Sequence, residues 1–144
     1  MKHRHFISQL DRKLIESALR DAELGTSGEI RVIVHHQPVE DAVAFAQAEF
    51  IRLGMQKTRK RNAVLIFVAP VSQKFAVIGD EAVHRKCGDP FWQEMAAAMQ
   101  ENFRAGHYTA ALFEGIKRAG ALLAQHFPPR PGNTDELPDQ VIEQ

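Results

Sequence analysis

An α/β fold is what this sequence predicts, with one strand–helix–strand unit feeding an antiparallel hairpin. Three observations carry that reading. Ala63–Ala69 is an unbroken apolar run rich in Val, Ile and Phe, bounded by a charge cluster before it and Pro70 after it. That pattern suits a central strand covered on both faces. Glu29–Val34 alternates apolar and charged residues before turning wholly apolar, and a helix-period stretch separates it from the central strand. A crossover of this kind is right-handed and makes its two strands parallel. Lys74–Gly79 is a third, short strand, and Pro70-Val71-Ser72-Gln73 is a connection of hairpin length.

The remaining elements follow in order. Residues 1–5 read as a frayed basic arm. Ser8 is positioned to cap a helix whose Leu10, Leu14, Ala18 and Ala22 form one stripe, with Gly25 at its end. Thr26-Ser27-Gly28 then turns into the first strand, which Pro38 stops. A helix over 40–53 presents Val43, Ala46, Phe50 and Leu53 on one face and ends at Gly54. Arg52, Lys57, Arg59, Lys60 and Arg61 lead into the central strand. After the hairpin, 80–86 forms a short helix or turn. Asp89-Pro90 starts a helix, with a carboxylate at the cap and proline in the first turn. Its apolar stripe is Trp92, Met95, Met99 and Phe103. The last helix, over 108–126, buries Leu112, Ile116, Ala119 and Leu123, and Pro128-Pro129 terminates it. Residues 1–127 therefore form a single domain, while 128–144 hold too few apolar groups to pack and read as a flexible acidic tail.

Composition removes several classes of function. Apolar content of 44% and charged content of 25% are those of an ordinary globular domain. Eighteen basic residues balance eighteen acidic ones, so no global field points to nucleic acid or an anionic membrane. The balance is uneven: the tail sets Arg130 against Asp135, Glu136, Asp139 and Glu143, a net −3 that leaves the body at +3. A lone cysteine, Cys87, excludes an internal disulfide and a Cys-rich zinc module. No apolar run approaches the roughly 18 residues needed to span a bilayer. MKHRHFISQL is too polar for a signal-peptide core, which makes the cytoplasm the expected compartment.

Five pieces, TSGEIRV, KTRKRNAVLIFVAP, KFAVIGDEAV, FRAGHYTAALFEGI and DELPD, occur in the order and spacing of one family. Together they resemble the TPM domain in its short bacterial form without a membrane helix. The resemblance implies an α/β/α sandwich with a small mixed sheet, in agreement with the pattern above. It also implies a loosely defined activity: some members bind calcium or other divalent cations, and chloroplast members are associated with photosystem II repair and credited with acid phosphatase activity. Where many members read Asp-Asn-Gly before the central strand, this chain reads Arg61-Asn62-Ala63. An aspartate linked in the family to metal binding is thus replaced by a cation.

Parallel first and second strands start at one sheet edge, and an antiparallel third strand ends there. Glu29, Arg61, Asn62, Asp80 and Glu81 should therefore gather on that rim, with Asp89 nearby. Three carboxylates and an amide suit a hard cation such as Ca²⁺ or Mg²⁺. The competing reading pairs Glu29 and Asp80 with Arg59, Lys60 or Arg61 in surface ion pairs worth about 0–1 kcal/mol each. Arg59 and Arg61 could alternatively hold a phosphate or another anion, although the run lacks a glycine-rich cradle and interleaved aromatics. At the opposite rim, where open α/β sheets commonly bind ligands, His35 and His36 point to opposite faces. Asp80, His84 and Cys87 sketch a zinc corner with no second pair to complete it, so zinc is not expected.

Nucleophilic catalysis finds no Gly-x-Ser-x-Gly elbow, His-Glu-x-x-His or Walker loop. The sequence favours a binding or accessory module that acts through a protein partner or membrane-complex component and holds a divalent cation weakly. A metal-dependent phosphatase at the same rim is the enzyme alternative. A structural scaffold whose acidic tail docks a basic partner is the third.

Overall fold

The computed structural model describes residues 3–129 and 141–143. All seven residues of the central strand, β2 (Ala63–Ala69), are buried. The first strand, β1 (Glu29–Val34), lies parallel to it in the register Glu29↔Ala63 to Val34↔Val68. The third, β3 (Lys74–Gly79), returns antiparallel with Val64 opposite Gly79 and Ala69 opposite Lys74. These three strands and the hairpin stand where the sequence predicts them.

Alternation along the strands sorts their side chains into two cores on opposite faces. Ile30, Val32, Val34, Val64, Ile66 and Val68 belong to the larger one. It is covered by α1 (His3–Ser8), α2 (Arg12–Leu24), α4 (Glu81–Arg104) and α5 (Tyr108–His126), which supply Phe6, Ile15, Leu19, Met95, Met99 and the predicted Leu112, Ile116, Ala119 and Leu123. Ile33, Ala63, Leu65, Phe67 and Ala69 face the other way, against α3 (Ala42–Arg52) and Met55. Helices thus cover both faces of a mixed sheet, the predicted α/β/α sandwich.

Local departures have local causes. His3–Ser8 is helical, and Phe6 is only 2% exposed. Its ring packs 4.9 Å from Tyr108 and 6.2 Å from Phe103 and anchors this helix, so residues 3–5 of the arm expected to fray are helical. Ser8 closes that first helix by donating to the His5 carbonyl. Asp11 takes the capping role assigned to Ser8, accepting from the Leu14 amide at 3.1 Å. Ile15 and Leu19 then form the buried stripe, with Leu10, Ala18 and Ala22 beside it and Leu14 turned outward at 44% exposure. In α3, Asp41 is the cap, and Val43 is exposed while Ala46 and Phe50 are buried. The helix after β3 begins at Glu81 and breaks at Gly88, whose φ of 73° and ψ of 166° are non-helical. Asp89-Pro90 restarts it, with Met95 and Met99 fully buried and Trp92 and Phe103 partly so.

The tail differs most. Residues 130–140 lie outside the described residues, and with them Asp135, Glu136 and Asp139. Val141–Glu143 form β4, parallel to β1 through Val32↔Val141 to Val34↔Glu143, and give the sheet order β3-β2-β1-β4. Val141 is buried in the larger core and Ile142 packs against the smaller one. Arg12 on α2 pairs with the Glu143 carboxylate and donates to the Val141 carbonyl at 3.2 Å. Two β-branched residues and one ion pair are enough to make a strand here because β1 offers an otherwise open edge. Deleting residues 141–144 should therefore strip exchange protection from the β1 amides that face β4, Val34 among them, while the Ile33 amide, which faces β2, and the β2–β3 ladder stay protected. The loss of Val141 burial should lower unfolding free energy by about 2 kcal/mol in urea titrations.

Candidate functional site

The amino-terminal rim is built on two close approaches. A Cβ on Gly28 would stand 3.1 Å from the Asn62 carbonyl and 3.0 Å from Leu123, so a larger residue would push β1 a few tenths of an ångström from the entry to β2 or displace Leu123. A Cβ on Gly79 would meet the Trp92 ring at 2.6 Å, so the end of β3 seats directly on α4. Hydroxyls tie these segments together. Thr26 Oγ1 donates toward the Leu123 and Phe127 carbonyls at the end of α5 and accepts from the Gly28 amide at 3.0 Å. Asn62, almost fully buried, donates its side-chain amide to Ser27 Oγ at 3.3 Å, and its backbone amide reaches Thr58 Oγ1.

Asp80 is the centre of the rim. Its backbone amide donates to the Ala63 carbonyl at 2.9 Å, one ladder step beyond the Gly79–Val64 pair. One carboxylate oxygen caps α4 through the Glu81 amide at 2.7 Å. The carboxylate, 4% exposed, also receives a two-point contact from Arg61, with Nε–Oδ2 and Nη2–Oδ1 both 2.9 Å. Arg61 Nη1 lies 3.5 Å from Glu81, and Glu81 lies 3.9 Å from Arg85, so acid and base alternate around the helix start. The hydrogen bonds to Asp80, then its charge and that of Glu81, raise the Arg61 pKa above its ordinary value against a smaller desolvation effect. The Arg61 backbone has φ 54°, a left-handed conformation that a long side chain disfavours. Asp, Asn and Gly adopt it more readily. The bidentate grip on Asp80 and the Ala82 amide donating to the Arg61 carbonyl at 3.1 Å hold it there.

Arg61, Asp80 and Glu81 thus come together as expected, in the ion-paired arrangement. Glu29 is buried on the opposite side of β2, level with Ala63, so two strand spacings, roughly 10 Å, separate its Cα from that of Asp80. Asn62 points to Ser27. Arg59 is exposed, and Asp89 is exposed beyond the Gly88 break. Among the described residues no group of three His, Cys, Asp or Glu side chains is placed to hold a metal ion. His84 is exposed, and partial burial raises the Cys87 thiol pKa. On the carboxyl rim, His35 is buried with its ring 4.6 Å from Phe45 and 5.8 Å from Phe67, while His36 is exposed. The expected opposite orientation does not hold: both histidines lie beyond the end of β1, where strand alternation no longer applies, and their rings stand 5.6 Å apart. Sequence reading missed Thr26 and Thr58, whose only signal was a buried hydroxyl beside a glycine or a loop. It also missed Arg31, half-buried in β1, whose pKa is lowered by desolvation.

A mixed four-stranded sheet between helix layers, with an Asp-capped helix leaving the hairpin beside a buried Asn, makes a small α/β sandwich. Residues 1–122 match the TPM domain model, and the chain belongs to that family. It is similar to the BA42 protein of the psychrophilic bacterium Bizionia argentinensis, whose NMR structure is 37% identical over 92% of both chains with a TM-score of 0.85. No curated protein matches the chain. No described helix is long and apolar enough to cross a membrane.

Two outcomes test this geometry. Asp80→Ala should cost about 1 kcal/mol or more in chemical denaturation through loss of the α4 cap, whereas Asp80→Asn keeps a capping oxygen and should lose less. Because burial raises its pKa, Cys87 should react with iodoacetamide more slowly than a free cysteine peptide at pH 8, and the gap should narrow as pH rises.

Proposed function

We propose that this chain is a TPM-type binding module that acts through a protein partner, with the amino-terminal rim as its recognition face and a divalent cation held there only weakly. The two-point contact of Arg61 on Asp80 carries the reading. Hard cations need several oxygen ligands, and Ca²⁺ takes six to eight. At this rim the best-placed carboxylate already faces a guanidinium and a helix amide. A dication must displace Arg61 or sit beside its charge, and both lower affinity.

A hydrolase at the same rim has less support. An arginine that bound phosphate would turn its guanidinium outward, whereas Arg61 spends two donors on Asp80 and points a third nitrogen toward Glu81. A rim in which Arg61, Glu81 and Arg85 are exposed around the buried Asp80 suits register with a complementary protein surface, where charge pattern sets specificity and on-rate more than raw affinity.

Amide NMR titrations with Ca²⁺ and Mg²⁺ decide the cation part. The wild-type protein should show saturable shifts near residues 61–63 and 79–82 only at millimolar cation. Arg61→Ala should bind about tenfold more tightly, the size expected when one unit charge a few ångström from a dication is removed in water. Equal affinities in the two proteins would separate the cation from this rim.

A further inference from the structure

At the other end of the sheet, the hairpin, the end of α4, the start of α5 and α1 enclose a cavity of about 530 Å³. That volume lies within the roughly 300–1,000 Å³ typical of small-molecule sites. Its aromatic lining is continuous. Phe75 on β3 packs 5.2 Å from Phe103, Phe103 lies 6.2 Å from Phe6, and Phe6 stacks 4.9 Å from Tyr108. Phe75, Phe103 and Tyr108 are only partly buried, so their rings remain in part uncovered.

The polar lining has one sign. Arg104 contributes a guanidinium and Gln73 and Gln100 contribute amides, Lys74 lies at the edge, and among the described residues no carboxylate lines the cavity. Arg104 is exposed and makes no ion pair with any described residue. Lys74 stands opposite Ala69 on the α3 side of the strand and its Nζ donates to the Glu40 carbonyl at 2.5 Å, so its charge reaches the cavity from the rim and not as a direct contact. Arg12, Arg52, Arg61, Arg85 and Arg118 face carboxylates, and the exposed Arg4 and Arg20 do not, so what sets Arg104 apart is that aromatic rings rather than a carboxylate stand beside it. An arginine without one beside uncovered aromatic rings is a place for an anion carrying a flat apolar body.

We propose that this carboxyl-rim cavity binds a small amphipathic anion, with a planar one- or two-ring body against Phe75, Phe103 and Tyr108 and a carboxylate or phosphate on Arg104, in the longer-range field of Lys74. Ring contacts would supply the apolar payload and the guanidinium a charge-assisted hydrogen bond. The site shares no residue with the amino-terminal rim and stands or falls apart from it.

The full-length isotope-labelled protein can be titrated with 2-naphthoate, 2-naphthyl phosphate and the neutral 2-naphthamide, followed by amide NMR. At least one anion should give saturable shifts confined to residues 73–75 and 100–108, and the stronger of the two shows which head group the cations prefer. The neutral amide should bind at least about tenfold more weakly, the worth of one charge-assisted contact of about 1.4 kcal/mol. The exposed double substitution Lys74→Gln and Arg104→Gln should weaken the anion by a similar factor. Absence of saturable shifts, shifts centred elsewhere, or equal binding of the neutral amide to the wild-type protein would overturn the proposal. So would anion binding unchanged in the folded double variant.

Discussion

Burial of β2 on both faces and pairing on both edges is the constraint on which the rest of the molecule depends. Seven consecutive apolar residues without a polar side chain cannot face water on either side, so helices must cover both surfaces of the sheet. Val64, Ile66 and Val68 call for one helical layer, and Ala63, Leu65, Phe67 and Ala69 for another. The smaller residues of the second set are met by the single helix α3, while the first set takes the long α4 and α5. Even the positions of the two rims follow, because β1 begins level with β2 and β3 ends there.

The amino-terminal rim is held together by its own charges. A carboxylate at the end of β3 must cap α4 whatever else it does, and that role keeps Asp80 beside the residue that precedes Asn62. In this chain that residue is a cation, and the pair closes on itself. The price is a left-handed arginine. The neighbouring Asn62, Ser27, Thr26 and Thr58 form a nearly dry hydrogen-bonded seam that joins β1, β2 and the end of α5. Rigidity of this kind suits a recognition surface, since groups already ordered lose little on binding.

Much of the architecture was legible because periodicity speaks directly of burial. Strands β1, β2 and β3 and helix α5 lie where alternation, the apolar run and the 3.6-residue stripe put them. Short elements were harder. Asp11 rather than Ser8 caps its helix, and the helix expected from residue 40 starts at Ala42 behind Asp41, because several polar residues compete for each start and only the packing phase chooses among them. That same phase turned Leu14 and Val43 outward. At the rim, topology alone brought Arg61, Asp80 and Glu81 together. It gave no sign of which oxygen each donor would take, because a two-point contact depends on rotamers and on the Gly28 and Gly79 approaches.

By itself the sequence determined the secondary-structure order, the parallel crossover, the hairpin and the sandwich class, since these rest on hydrophobic period and connection length along the chain. Tertiary structure alone decided three things: that Val141–Glu143 completes the sheet, that Arg61 neutralises Asp80, and that Phe6, Phe75, Phe103 and Tyr108 meet around a cavity with Arg104 at its edge. Each joins residues far apart in sequence, and contacts of that kind leave no periodic trace for a reader of one chain to follow.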